Sequence, residues 1–216
     1  MVREVFTYNS KKYDFKKIIT DLFDSGPLDK LHEVYSHPNI FTMSDNSDTI
    51  FHDMFYQDMR KEGPFINLYR HFINTPLRKM MGVDFVYQAS PTLRVHLHGN
   101  WATPEFHVDT QDGYNHPPGE INFILPLTPC YGNNSVWVES SPGNKVYSPI
   151  EMGVGDIFGF SGGELMHGNR INDTGVSRVS FDFRIIPKEQ YNDKYKKTSA
   201  TRGTKFIVGH YYRELE

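Results

Sequence analysis

The chain has 216 residues, 38% hydrophobic and 23% charged, enough for one sizeable core, and no Gly/Ser- or Pro-rich linker divides it. A formal net charge of -3 and a pI near 6.4 give no basic field to track a phosphate backbone, which argues against nucleic acid as a partner. Cys130 is the single cysteine and rules out an internal disulfide; the start Met1-Val2-Arg3-Glu4-Val5 lacks the apolar run of a signal peptide, and no stretch nears the roughly eighteen apolar residues of a membrane span. The expectation is a protein of the reducing cytoplasm without a membrane partner.

In chain order, Tyr13 to Phe23, Thr49 to Arg60 and Pro64 to Met81 place apolar residues three and four apart, as at Phe65, Leu68, Tyr69, Phe72 and Ile73, and predict helices. The pattern changes near residue 83. Phe85 to His98, Gly119 to Leu127, Ser135 to Glu139, Lys145 to Ser148, Asp156 to Phe160 and Val176 to Ile186 are short, rich in β-branched and aromatic residues, and separated by Pro, Gly and Asn. They predict strands. Tyr191 to Lys197 reads as one more short helix. The fold class is mainly β with N-terminal helices, a double-stranded β-helix (jelly roll, cupin-like). It is one domain: a helical buttress (1–82), the jelly-roll core (83–187) and a C-terminal extension (188–216).

The chemistry is concentrated in Pro104-Glu105-Phe106-His107-Val108-Asp109, His167 and Arg178-Val179-Ser180. Two imidazoles and one carboxylate in the order His-x-Asp…His form the facial set that leaves three positions open on a non-haem Fe(II). In an extended segment His107 and Asp109 point to one face, and His167 must arrive from a different strand. With ten histidines in the chain, the triplet alone is weak. Its force comes from joint occurrence with a later histidine inside Gly-Gly-Glu-Leu-Met-His-Gly-Asn and with Arg178 on a strongly predicted strand. Arg178 is either an exposed strand residue paired with an acid or, among Val176, Val179, Phe181 and Phe183, a covered arginine that needs an anion.

The runs Gly119-Glu120-Ile121-Asn122-Phe123-Ile124-Leu125-Pro126-Leu127-Thr128, Asn134-Ser135-Val136-Trp137-Val138-Glu139-Ser140, Pro142-Gly143, His167-Gly168-Asn169 and Arg178-Val179-Ser180-Phe181-Asp182-Phe183-Arg184 resemble the 2-oxoglutarate and Fe(II)-dependent oxygenases. Within them they are most similar to the phytanoyl-CoA dioxygenase-like group that includes the StrG-type proteins of streptomycin biosynthesis. The resemblance covers about residues 91 to 187 by motif. It implies that His107, Asp109 and His167 hold Fe(II), that Arg178 grips the distal carboxylate of 2-oxoglutarate, and that Ser180, two residues on, adds a hydrogen bond to it. Asn122 is either a cofactor contact near the metal or a buried amide satisfied by backbone. The implied reaction consumes O2 and 2-oxoglutarate, releases succinate and CO2, and hydroxylates a substrate C–H bond. Related halogenases leave the position of Asp109 vacant for a halide, so the carboxylate here favours hydroxylation.

Substrate contacts are sought at the barrel mouth. Arg94, His96 and His98 share one strand face, directed either into the barrel or at water, and Trp101, Glu105 and Gln111 flank the metal triplet. A polar set of this kind suits a small hydrophilic substrate such as an amino acid, sugar or aminocyclitol. Thr201-Arg202-Gly203-Thr204-Lys205 is either a lid or a solvated basic surface. Two other classes stay open: a cupin-type metal-dependent isomerase or lyase that uses no 2-oxoglutarate, and a binding barrel that keeps the ligands only as structure.

Overall fold

The computed structural model describes residues 2–35, 49–102, 106–199 and 203–216. Helix α1 (Phe15–Phe23) starts where the Asp14 carboxylate accepts the Lys17 N–H at 2.9 Å, and α2 (Leu31–Val34) is a single turn after a 3-10 turn at Leu28–Lys30. Helix α3 (Ile50–Arg60) is followed by α4 (Pro64–Phe72), which opens with proline in its first turn, and by α5 (Arg78–Met81). The sequence predicts one helix over Pro64 to Met81. The backbone is helical throughout, but a π turn at Ile73–Leu77 separates α4 from α5, because Pro76 has no N–H to donate and crowds the preceding turn.

Among the described residues there are ten strands: β1 (Arg3–Thr7), β2 (Phe85–Gln88), β3 (Thr92–His96), β4 (Ile121–Pro126), β5 (Trp137–Glu139), β6 (Tyr147–Pro149), β7 (Asp156–Phe160), β8 (His167–Gly168), β9 (Arg178–Pro187) and β10 (Tyr212–Glu214). Strands β1 and β10 lie outside the predicted pattern. The large sheet runs β1-β7-β4-β9-β2-β10 with β3 also on β9; the small sheet runs β6-β5-β8. The strand pairings in both sheets are antiparallel. The single strand expected from Phe85 to His98 breaks at Ser90-Pro91, and its halves pair with different stretches of β9, β2 with Ile185 to Pro187 and β3 with Arg178 to Asp182. The helix expected over Tyr191 to Lys197 is replaced by turns, in which the Asn192 side chain takes the Lys194 N–H at 2.9 Å and competes with the helical bond.

Strand β9 is buried along its whole length and divides the molecule. Val179, Phe181, Phe183 and Ile185 face the helices. Phe181 lies 4.9 Å from the Phe15 ring and 5.1 Å from Phe65, and Phe183 lies 5.4 Å from Tyr69. Arg178, Ser180, Asp182 and Arg184 take the opposite face, toward the small sheet. A second apolar cluster of Cys130, Val136, Val138, Ile150, Met152, Phe158, Phe160 and Leu165 closes the space between the sheets. The segment before α1 is therefore not purely helical, since β1 joins the large sheet on β7. The C-terminal extension docks on the other edge through β10, with Phe206 and Tyr212 fully buried.

Candidate metal centre

The two histidines are joined through the backbone before their rings meet. The His107 N–H donates to the His167 carbonyl at 3.0 Å and the His167 N–H returns the bond at 2.9 Å, so the His107 segment extends the small sheet beside β8. The Asp109 N–H then donates to the Gly162 carbonyl at 2.9 Å. Gly162 is required for this approach: a Cβ there would fall 2.4 Å from Nδ2 of Asn122. The ligand atoms of His107, Asp109 and His167 consequently lie within 4.8 Å of one another, and all three residues are buried.

The rings are held for coordination through Nε2. His167 Nδ1 lies 3.0 Å from the Leu165 carbonyl, which can only accept, so in the neutral ring the proton sits on Nδ1 and the lone pair on Nε2. The Phe160 ring meets His167 edge-on, and Tyr114 stacks flat on His107 at 3.9 Å. Nε2 of His107 and of His167 lie 3.4 and 3.6 Å from Oδ1 of Asp109. Burial, against the pull of Asp109, lowers the His167 pKa to about 4, so the ring is neutral and ready to bind metal at neutral pH.

The two oxygens of Asp109 are treated differently. Oδ2 accepts from Asn122 Nδ2 at 2.7 Å and from Arg184 Nε and Nη2 at 3.0 and 2.9 Å. Oδ1 is buried and has no hydrogen-bond donor among the described residues. Burial alone would raise the pKa of this carboxyl, but Arg184 and the neighbouring imidazoles hold it well below the usual range. Of the two readings of Asn122, the backbone one does not hold: its Nδ2 bonds the Asp109 carboxylate, and its Oδ1 is buried without a partner among the described residues. Arg184 was not singled out at all. Its signal was the period-two polar run Arg178, Ser180, Asp182, Arg184 on a strand whose alternate residues are apolar.

Three arginines point into the barrel, and their partners differ. Arg94 pairs with Asp182 at 2.6 Å and Arg184 with Asp109. Arg178, only 3% exposed, donates Nη1 to the amide oxygen of Asn169 at 3.2 Å, and no carboxylate forms an ion pair with it among the described residues. Its Nε and the Ser180 hydroxyl are buried without a protein partner among the described residues. Burial lowers the Arg178 pKa; at Arg184 burial pulls the same way, but Asp109, Tyr211, Glu120 and Asp182 together overcome it and drive the pKa up.

The expected substrate contacts are only partly brought together. Trp101, half-buried, donates Nε1 to the Asn169 carbonyl at 2.8 Å, and Gln111 lies exposed on the turn after Asp109, accepting the Val108 N–H. Of the two directions open to Arg94 and His96, they take the barrel side, opposite Ser180 and Arg178 on β9: Arg94 pairs with Asp182, and His96 is fully buried with Nε2 2.8 Å from the Asn100 carbonyl and Nδ1 3.3 Å from the Asn134 carbonyl. His98 is exposed. Glu105 lies outside the described residues, as do Thr201 and Arg202 of the expected lid.

The helical buttress, the two-sheet barrel and the buried His-x-Asp…His cluster define a double-stranded β-helix protein with a candidate metal centre. The solved structure of HygX from Streptomyces hygroscopicus, with nickel and 2-oxoglutarate bound, shares this fold at a TM-score of 0.50 and 12% identity, over 99% of this chain and 92% of that one. The ThoJ–Ni complex, a non-heme monooxygenase, matches at a TM-score of 0.47 and 10% identity over 92% of this chain and 79% of its own, and AviO1 from Streptomyces viridochromogenes Tue57 at 0.45 and 13% over 88% and 93%. No family model matches the sequence. The chain belongs to the family of the streptomycin biosynthesis protein StrG of Streptomyces griseus: the two are 34% identical over 211 residues, 95% of this chain and 97% of that protein. Among the described residues no helix is long and apolar enough to cross a membrane.

Proposed function

We propose that this chain is a 2-oxoglutarate- and Fe(II)-dependent dioxygenase that hydroxylates a C–H bond of a small polar metabolite, such as an amino acid, sugar or aminocyclitol. The observation that carries the reading is the contrast between Arg178 and its two inward neighbours. Arg94 and Arg184 face carboxylates, while Arg178 and Ser180 present buried donors that the described residues do not satisfy. A buried guanidinium without a counter-charge costs several kcal/mol, and an anionic co-substrate removes that cost. The planar fork of arginine suits a carboxylate.

The triad fits the metal by the same test. A buried carboxylate oxygen without a donor, facing two imidazole nitrogens, is a mixed N and O donor set suited to Fe(II). His107, Asp109 and His167 would hold the metal, and Arg178 with Ser180 would receive the distal carboxylate of the keto acid. When bound, Fe(II) and 2-oxoglutarate supply the oxidation of a C–H bond by O2, with succinate and CO2 released. The chain's residues set the conditions. Tyr114 covers one imidazole, Phe160 shields the other, and the buried ionic pairs fix the carboxylate. The StrG relative is a streptomycin biosynthesis protein, which supports a biosynthetic role with a small metabolite.

The test is incubation of the Fe(II)-loaded protein with 2-oxoglutarate, O2 and a panel of amino acids, sugars and aminocyclitols. The expected result is one compound that gains a single oxygen atom in step with succinate release. Metal-dependent conversion that consumes neither 2-oxoglutarate nor O2 would establish the isomerase or lyase instead.

A further inference from the structure

We propose that Arg184 is a positioning residue for the metal centre, and that the C-terminal segment carrying Tyr211 and Tyr212 is a working part of that centre. The inference rests on the reading of Asp109 as a metal ligand. Its basis is the unequal treatment of the two Asp109 oxygens. Three donors, Asn122 Nδ2 and Arg184 Nε and Nη2, converge on Oδ2. An oxygen so occupied is unavailable to a cation, and a carboxylate bonded from two strands cannot rotate to exchange its oxygens. Oδ1 alone is left toward His107 and His167. Asp109 is thereby restricted to one-oxygen coordination, which preserves open positions for co-substrate and O2.

Arg184 is itself braced. Nε lies 3.5 Å from Oε2 of Glu120, Nη1 lies 3.9 Å from Asp182, and Nη1 donates to the Tyr211 hydroxyl at 3.3 Å. Glu120 also bonds the Tyr212 hydroxyl and sits 2.7 Å from Nδ1 of His116, whose ring packs 4.6 Å from Phe206. The residues that fix the guanidinium thus come from β4's approach, from β9 and from the segment after residue 203. That segment meets the centre through the hydrogen bond between Arg184 and the Tyr211 hydroxyl. Its effect on the metal passes through Arg184, and outer groups of this kind orient the ligands and tune affinity.

The experiment compares Mn(II) affinity and the visible spectrum of the Co(II)-loaded protein in wild type, Arg184→Lys, Tyr211→Phe and Arg70→Lys. Arg70 makes a comparable two-point pair with Glu62 on the helical side and pairs with neither Asp109 nor Arg184 among the described residues, so Arg70→Lys reports a merely structural loss. Arg184→Lys keeps the charge and loses the fork: Mn(II) affinity is expected to fall by about tenfold and the Co(II) bands to shift. Tyr211→Phe, which removes a single hydroxyl and keeps the fold, is expected to weaken Mn(II) by a smaller factor. Arg70→Lys is expected to lower Tm with Mn(II) affinity unchanged. Wild-type affinity and bands in folded Arg184→Lys, wild-type affinity in Tyr211→Phe, or an equal loss in Arg70→Lys would each overturn the proposal while leaving the triad intact. Failure of the wild-type chain to bind Mn(II) or Co(II) would overturn the metal reading itself.

Discussion

His107 and His167 exchange both of their backbone hydrogen bonds, at 3.0 and 2.9 Å, so the two imidazole ligands are fixed by main chain before any metal is considered. Their side chains can be removed without breaking that link, whereas the third ligand, Asp109, carries the charge that balances buried Arg184.

The two kinds of ligand substitution therefore differ in stability as well as in activity. His167→Ala is expected to abolish turnover and metal binding at a cost to the metal-free fold of about 1–3 kcal/mol, the range for an ordinary core truncation. Asp109→Ala also abolishes turnover, and leaves Arg184 without its main counter-charge, a loss of about 3–5 kcal/mol. Urea unfolding of the metal-free variants measures the difference; equal stabilities would contradict it.

Arg178 gives the opposite sign. Because no carboxylate pairs with it among the described residues, Arg178→Met is expected to leave the ligand-free protein as stable or more stable, while weakening 2-oxoglutarate binding by about 2–5 kcal/mol. Calorimetric titration of Ni(II)-loaded protein with 2-oxoglutarate, beside a thermal melt, reads both quantities. Normal keto-acid affinity in this variant would remove Arg178 from its role.

Acid is expected to destabilise the metal-free protein from below pH 6.5. Burial lowers the pKa of His167 to about 4, and that of His96, beside Arg178, to about 3. A depressed folded-state value means that the unfolded chain binds the proton first. The stability is thus fully present above the ordinary histidine value of 6.5 and is lost as pH falls toward the folded values. Each histidine contributes up to about 1.4 kcal/mol per pH unit in that window. A Tm that stays flat from neutral pH to the edge of that range would show that the folded rings take up protons together with those of the unfolded chain.

The outward face of β9 ties the helices to the site strand. Phe181 meets Phe15, Phe65 and Tyr69, and is fully buried. Phe181→Ala is expected to cost about 3–5 kcal/mol in chemical unfolding, with metal affinity in the folded fraction little changed. A large loss of affinity in the folded protein would place the helices in the site itself.

What could be read from the sequence follows from how local its cause is. The helices over Tyr13 to Phe23 and Thr49 to Arg60 are visible in apolar spacing, and the ligand triplet is visible because two of its members are neighbours. Strand β1 is mostly exposed and gains its identity from β7, more than a hundred residues away, and β10 gains its own from β2. No local pattern announces either. Arg184 was legible in principle, since Arg178 and Ser180 share its strand face. Its partner Asp109 lies 75 residues away in the chain, and only the fold brings the two together. His96 misled because strand alternation gives the face of a side chain, not whether that face is open to a ligand or closed by the backbone of Asn100 and Asn134.

This barrel is expected to bind Fe(II) and 2-oxoglutarate together. An anaerobic titration of metal-free protein with Fe(II), then 2-oxoglutarate, monitored in the visible range, tests that directly. The expected result is a weak metal-to-ligand charge-transfer band that appears only with both components, is lost in Asp109→Ala and requires far more keto acid in Arg178→Met. Fe(II) binding with no band at any 2-oxoglutarate concentration would contradict the oxygenase and leave the metal-dependent isomerase or lyase.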